Sequence, residues 1–211
     1  MSAKTAGTLP DGPDYLHLLL ILYGSAKGDS SSDDRFGQDQ RRAEVDIRLK
    51  LPRAGMRPPE IDSYAREFVG LNYASIKHTQ KWHCEFCDKP ARMSQQDAAS
   101  WSHLKPPRSN LYFHFVCDPS TGPCAAQLRS AHIQMASMTG RPPQPPGPRE
   151  NPLDFPPMAV CAGCQREETV DVPTKKCSGC DLTRSVDDFK NHWREHKAFC
   201  KTPKTVKWVW P

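Results

Sequence analysis

The sequence predicts small zinc-stapled α+β modules: one at the C-terminus, a second cysteine-rich module before it, and irregular, partly disordered flanks. Three observations carry that expectation. Between Cys161 and Cys200 the chain reads C-x2-C-x12-C-x2-C-x15-H-x3-C, six potential metal ligands within forty residues. A looser cluster, Cys84, Cys87, Cys117 and Cys124, precedes it. The composition, 37% hydrophobic with 21 prolines in 211 residues, favours small cores, because proline cannot donate to a helix or a sheet ladder.

Taken from the start, the apolar run Tyr15 to Tyr23, YLHLLLILY, is followed by Gly24-Ser25-Ala26 and has the outline of a signal-peptide core. Its flank argues otherwise: Asp11 and Asp14 stand against a lone Lys4 where positive charge is required. Nine residues are also too few to cross a bilayer. The run is expected to be a buried strand or short helix, with no membrane involvement. Residues 24 to 43, rich in Gly, Ser, Asp, Gln and Arg, read as a disordered loop, and residues 1–57 as an irregular N-terminal region.

Order restarts at Pro59 to Ser75, where Glu60, Ile61, Tyr64, Phe68 and Leu71 recur at helical spacing behind Pro58 and Pro59. The first cluster follows. The aromatic run Leu111 to Val116 predicts a strand ending at Cys117. Ala125 to Met138 predicts a helix stopping at Gly140, with Leu128, His132 and Met135 on one face. A turn at Cys84 and Cys87, a strand end at Cys117 and a helix start at Cys124 would bring four sulfurs to one ion. These elements make up a module over 58–140. Eight prolines between Arg141 and Pro157 then predict a semi-rigid spacer.

Beyond the spacer, residues 158–211 carry few large apolar side chains, so metal is expected to be a condition of folding there. Two residues between paired cysteines let both sulfurs reach one ion from a tight turn, and His196 and Cys200 stand four apart on one helical face. Ser185 with Asp187 and Asp188 reads as a helix start, Lys197 and Lys201 as its last turn, and Pro203 as its stop. Phe189, His192, Trp193, His196 and Cys200 form one stripe of that helix. Soft thiolates with an imidazole suit Zn(2+) in a closed tetrahedral site. Nine cysteines are an odd number, and six of them fall in C-x2-C pairs, which favours zinc in a reducing compartment, nucleus or cytoplasm, over a disulfide framework.

Paired C-x2-C motifs followed by Trp193-Arg194-Glu195-His196-Lys197-Ala198-Phe199-Cys200 resemble a MYND-type zinc finger over Val160 to Cys200. That family interleaves two zinc sites. The resemblance makes Cys161 and Cys164 the first pair, Cys177 and Cys180 the second, and His196 and Cys200 the last two ligands. The family's fifth and sixth cysteines are absent from Asp181 to Asn191. The family spacing puts Asp188 at the sixth position, with His192 a helical turn on, so a Cys161/Cys164/Asp188/His192 site is one completion. A two-Cys, two-His finger through Cys177, Cys180, His192 and His196 is another partition, which strands Cys161, Cys164 and Cys200.

The resemblance implies a protein-interaction module that docks a proline-containing segment of a partner. No catalytic residue is assigned. The chain is too short for an accompanying SET domain and lacks a Gly-rich cofactor loop or an Asn-His-Ser-Cys run. The alternative is nucleic-acid binding through Lys175, Lys176, Arg184, Lys190, Arg194, Lys197, Lys201, Lys204 and Lys207, interleaved with Trp208 and Trp210. A net charge of +5 permits this without requiring it. The two clusters predict at least two zinc ions per chain, one on each side of the proline spacer. Native mass spectrometry of freshly reduced protein, with and without chelator, counts them, and a count of one or none removes one or both assignments.

Overall fold

The computed structural model describes residues 9–25, 41–87, 89–140, 161, 173–185 and 192–209. Most of the expected loop over 24 to 43, all of the proline spacer, and Cys164, Asp188 and Phe189 lie outside the described residues.

The apolar run Tyr15–Tyr23 is a strand, β1, and it lies at the centre of a five-stranded sheet. Arg42–Lys50 forms β2, antiparallel to it, and Arg108–Val116 forms β4, parallel to it on the other side. Met93–Trp101 is β3, paired with β4 at one edge, and Lys204–Val209 is β7, paired with β2 at the other. The order is therefore β3-β4-β1-β2-β7. Register follows from side-chain alternation, because a slip of one residue would turn every apolar side chain to the opposite face. Leu16, Leu18, Leu20 and Leu22 are opposite Leu49, Ile47, Val45 and Ala43, while Leu20 and Leu22 also align with Leu111 and Phe113. All of these are buried.

Two helices lie against this face. Pro58–Leu71, α1, starts with proline in its first turn and with Glu60 accepting from the Arg57 backbone N–H at 2.8 Å. Tyr73–Lys77, α2, follows it. The core-facing residues of α1 are Ile61, Ala65 and Val69, and Leu71 is 79% exposed. Leu71 thus sits off the stripe to which its spacing assigned it. The buried stripe repeats every four residues from Ile61, and Leu71 falls roughly a quarter-turn outside its edge. On the opposite sheet face, Gly122–Thr139 forms α3 and ends at Gly140, whose φ of 65° is the left-handed value that glycine tolerates best.

Residues 1–57 are not an irregular flank, since they contain two of the five strands. The missed signal is the strict alternation of Arg42-Ala43-Glu44-Val45-Asp46-Ile47-Arg48-Leu49, which is a strand with one buried face. Nor does the C-terminal region keep its apolar residues to itself. Leu182 and Phe199 are fully buried in the same core as the leucines of β1, with Val206 and Trp208 packed at its margin. The sheet crosses the boundaries drawn from composition, because β7 covers an edge of β2 that would otherwise be unpaired.

Ser185 also differs from expectation. It lies in a two-stranded ribbon, Lys175–Lys176 (β5) with Arg184–Ser185 (β6), and does not cap the following helix. That helix, α4, is Trp193–Lys201 with His192 at its N-cap. Lys201 stands in its last turn as expected, and beyond it Lys204 donates from its ammonium to the carbonyls of Phe199, Cys200 and Thr202.

Trp82 joins the sheet to the first cysteine turn. It is fully buried, stacks on Phe115 with centroids 4.8 Å apart, and lies 6.2 Å from the ring of Trp208. Gly24 makes room for it: a Cβ there would lie 2.6 Å from Trp82 Cε3 and 3.2 Å from the His83 carbonyl oxygen. We expect Gly24→Ala to destabilise the zinc-loaded chain by about 1–3 kcal/mol, the usual cost of overpacking a filled core. Denaturant unfolding measures it, and an unchanged midpoint would show that Trp82 can move.

Candidate metal centres

The first cluster is assembled from three elements. Backbone bonds from Cys84 N–H to Lys89 O (2.8 Å) and from Glu85 N–H to Phe115 O (2.9 Å) close a turn that holds Cys84 and Cys87 beside the end of β4. Cys117 follows β4 directly. Asp118 then accepts from the N–H groups of Ser120 (2.7 Å) and Thr121 (3.2 Å) and from the Thr121 hydroxyl, forming the bend that delivers Cys124 into the first turn of α3. The four sulfurs lie within 4.8 Å of one another.

The second cluster joins a turn to a helix. Cys177 N–H bonds to Thr183 O at 2.8 Å and Asp181 N–H to Cys177 O at 2.7 Å, with Asp181 at a φ of 53°, a conformation that aspartate tolerates. That tight turn sets Cys177 and Cys180 against His196 and Cys200, one turn apart on α4, again within 4.8 Å. His192, at the N-cap, is not in this group, so the described arrangement is the three-cysteine, one-histidine set and not the two-Cys, two-His partition.

The separations test whether a metal ion fits. Sulfurs about 2.3 Å from a tetrahedral ion lie about 3.8 Å apart, and a sulfur and an imidazole nitrogen about 3.5 Å apart. The observed values are 3.8 Å for Cys87 to Cys117, 3.7 Å for Cys177 to Cys200, and 3.5 Å for Cys180 Sγ to His196 Nε2. All eight described cysteines are free thiols. Both groups therefore have the size and donor chemistry of a closed four-coordinate site, and both could hold a metal ion.

Protonation agrees with that reading. Burial pushes the Cys200 thiol up to about 12, reinforced by the charges of Cys180 and Cys177. Burial likewise carries Cys124 up to about 12, with Cys84 and Cys87 adding to it. Cys177 moves the other way: burial opposes the charge, but the backbone N–H groups of Cys180 and Gly179 outweigh it and hold the thiol below its usual value. Four crowded thiolates repel one another without a cation, so a bound ion must displace protons. Burial, with Lys204 nearby, lowers His196 to about 4 and keeps its imidazole neutral, which is the ligating form.

A residue outside every motif orients this ligand. Ser75 Oγ of α2 lies 3.0 Å from His196 Nδ1, so with Nε2 turned toward the sulfurs, Nδ1–H donates to the serine. Thr183 Oγ1 donates to Ser75 O at 3.0 Å, and Arg184 N–H to His78 O at 2.9 Å, docking the turn on the same helix. Sequence reasoning passed over Ser75 because it stands 121 residues from His196.

Of the ten sequence-predicted metal ligands, the structure brings eight together in two groups. Cys161 is buried and belongs to neither group, with Sγ 3.2 Å from Ser185 Oγ. The completion with Cys164 and Asp188 lies outside the described residues. A third group, Asp97, His114 and His132, was not anticipated. No known protein family, curated protein or solved structure matches this chain.

Two substitutions that remove no ligand test the second centre. A Cβ on Gly179 would lie 2.8 Å from Cys200 Sγ, so Gly179→Ala must spread the sulfurs. Ser75→Ala removes the partner of His196 Nδ1, and loss of such a partner typically costs about 10–100-fold in metal affinity. We expect both to lower zinc retention at this centre alone in chelator competition. Retention equal to that of the unmodified chain in both would show that the four donors do not share an ion.

Proposed function

We propose that this chain is a zinc-dependent protein-interaction module: both cysteine clusters hold structural zinc, and the surface around Trp193 docks a proline-containing segment of a partner. The carrying observation is that each cluster already has four soft donors, which leaves no coordination position for a substrate. Trp193 supports the placement. It opens α4, is 39% exposed, and its ring lies 6.1 Å from that of the cluster residue His196 at 62°. A polyproline segment is already extended, so docking it on an exposed aromatic ring costs little ordering entropy. The resemblance of Trp193 to Cys200 to the MYND helix points to the same surface. The proline-rich stretch from Arg141 to Pro157 is a candidate competitor, since tethering gives it a high effective concentration.

The nucleic-acid alternative has less support from the basic residues. Lys204 is occupied at the end of α4, and Lys176 Nζ lies 5.3 Å from the Trp208 ring centroid. Among the described residues, no helix is long and apolar enough to cross a membrane. The test uses the full zinc-loaded chain, because Phe199 and Leu182 share the sheet core. Titration with proline-containing peptides should give a saturable, salt-tolerant change in tryptophan fluorescence. In Trp193→Ala it should weaken by about tenfold or more, as for a buried aromatic anchor. No response to any peptide, together with tight binding to nucleic acid that weakens steeply with salt, would overturn the reading.

A further inference from the structure

The third group lies on the sheet face away from the leucine core. His114 projects from β4 and Asp97 from β3, where the residue opposite His114 is Gln95, so Asp97 is its diagonal neighbour on the same face. His132 reaches them from α3. The three donor atoms lie within 4.8 Å of one another, and the side chains of His114 and His132 are 7% and 5% exposed.

His132 Nε2 and Asp97 Oδ2 are 2.9 Å apart, yet each is a buried atom without a hydrogen-bond partner, so the ring N–H axis does not point at the oxygen. Donors about 2.1 Å from one ion and at right angles to each other lie about 2.9 Å apart, whereas tetrahedral donors would be about 3.4 Å apart. The other histidine is already oriented. Glu85 Oε2 lies 2.8 Å from His114 Nδ1, which leaves Nε2 as its free lone pair, the carboxylate–histidine arrangement common behind metal ligands. Tyr23 stacks on that ring at 5.1 Å and an interplanar angle of 18°, closing the outer side.

Charge argues in the same direction. Asp97 and Glu85 put two carboxylates into a buried pocket with two imidazoles, and buried anions need a cation.

The geometry points to a third metal site, Asp97/His114/His132, that binds one divalent first-row transition cation through two nitrogens and one oxygen, separate in place and donor chemistry from the thiolate clusters. Imidazoles favour zinc, iron, cobalt or nickel over magnesium or calcium, and three protein donors leave positions open for water or a small anionic ligand. This site stands independently of the peptide-binding reading.

The probe is Co2+ added to the full chain with its thiolate clusters already loaded with zinc. One further cobalt per chain should bind, giving d–d absorption without thiolate-to-cobalt charge transfer. Its paramagnetism should broaden the ring resonances of His114 and His132 and leave those of His196 sharp. Asp97→Asn and His132→Ala should abolish this uptake while zinc counts stay unchanged, and Glu85→Gln should weaken it about 10–100-fold. If no further cobalt binds, or if it binds with charge-transfer bands and without broadening of His114 and His132, the site does not exist. Because the broadening is read on the unmodified chain, a variant that fails to fold leaves the test intact.

Discussion

The structure depends on the pairing of β1 with both of its neighbours. Four leucines on one face of a nine-residue strand are buried between two neighbours: β2 sets an apolar residue level with each of them, and β4 sets Leu111 and Phe113 level with Leu20 and Leu22. In this pairing β4 runs parallel to β1 and β2 antiparallel to it. The end of β4 then delivers Cys117, while the outer edge of β2 receives β7, the strand that follows His196 and Cys200. Both candidate metal centres are thus hung from one sheet at points that β1 fixes.

Metal and core divide the work differently at the two centres. At the first, the sulfurs come from segments that the sheet and α3 already order, with Cys84, Val116, Cys124 and Leu128 forming a small buried cluster of their own. At the second, short turns and a nine-residue helix have little regular structure to hold them, and order comes from the burial of Phe199 and Leu182 and from the hydrogen bonds to Ser75 and His78, to which a bound ion would add. A module with its own small core would need metal in order to fold. In one that shares a core, a metal ion would chiefly fix the positions of Cys177, Cys180 and Cys200.

The two sheet faces carry different chemistry. One is a continuous apolar surface under α1. The other contains Glu85, Asp97, His114 and His132, ionisable groups almost never buried without partners. Burying them costs free energy that must be offset locally, by ion pairing or by a cation. The two kinds of group also differ in donor number: each cysteine cluster gathers four donors, the carboxylate–imidazole group three.

By itself, the sequence determined whatever depends on local spacing. The strand running into Cys117, the helix ending at Gly140, the turns at Cys84 and Cys177 and the pair His196 and Cys200 all follow from local spacing and turn chemistry, while the apolar run at Tyr15 marked a buried element and left strand or helix open. It also held the alternation of Arg42 to Leu49, which composition obscured. Tertiary structure alone decided the rest: that β7 closes the edge of β2, that Leu182 and Phe199 complete the core of the sheet, that Ser75 holds His196, and that Asp97, His114 and His132 meet. The physical reason is the same in each case. Local spacing encodes donors that share a turn or a helical face, whereas these groups come from different elements, and no period in the chain records which faces will pack together.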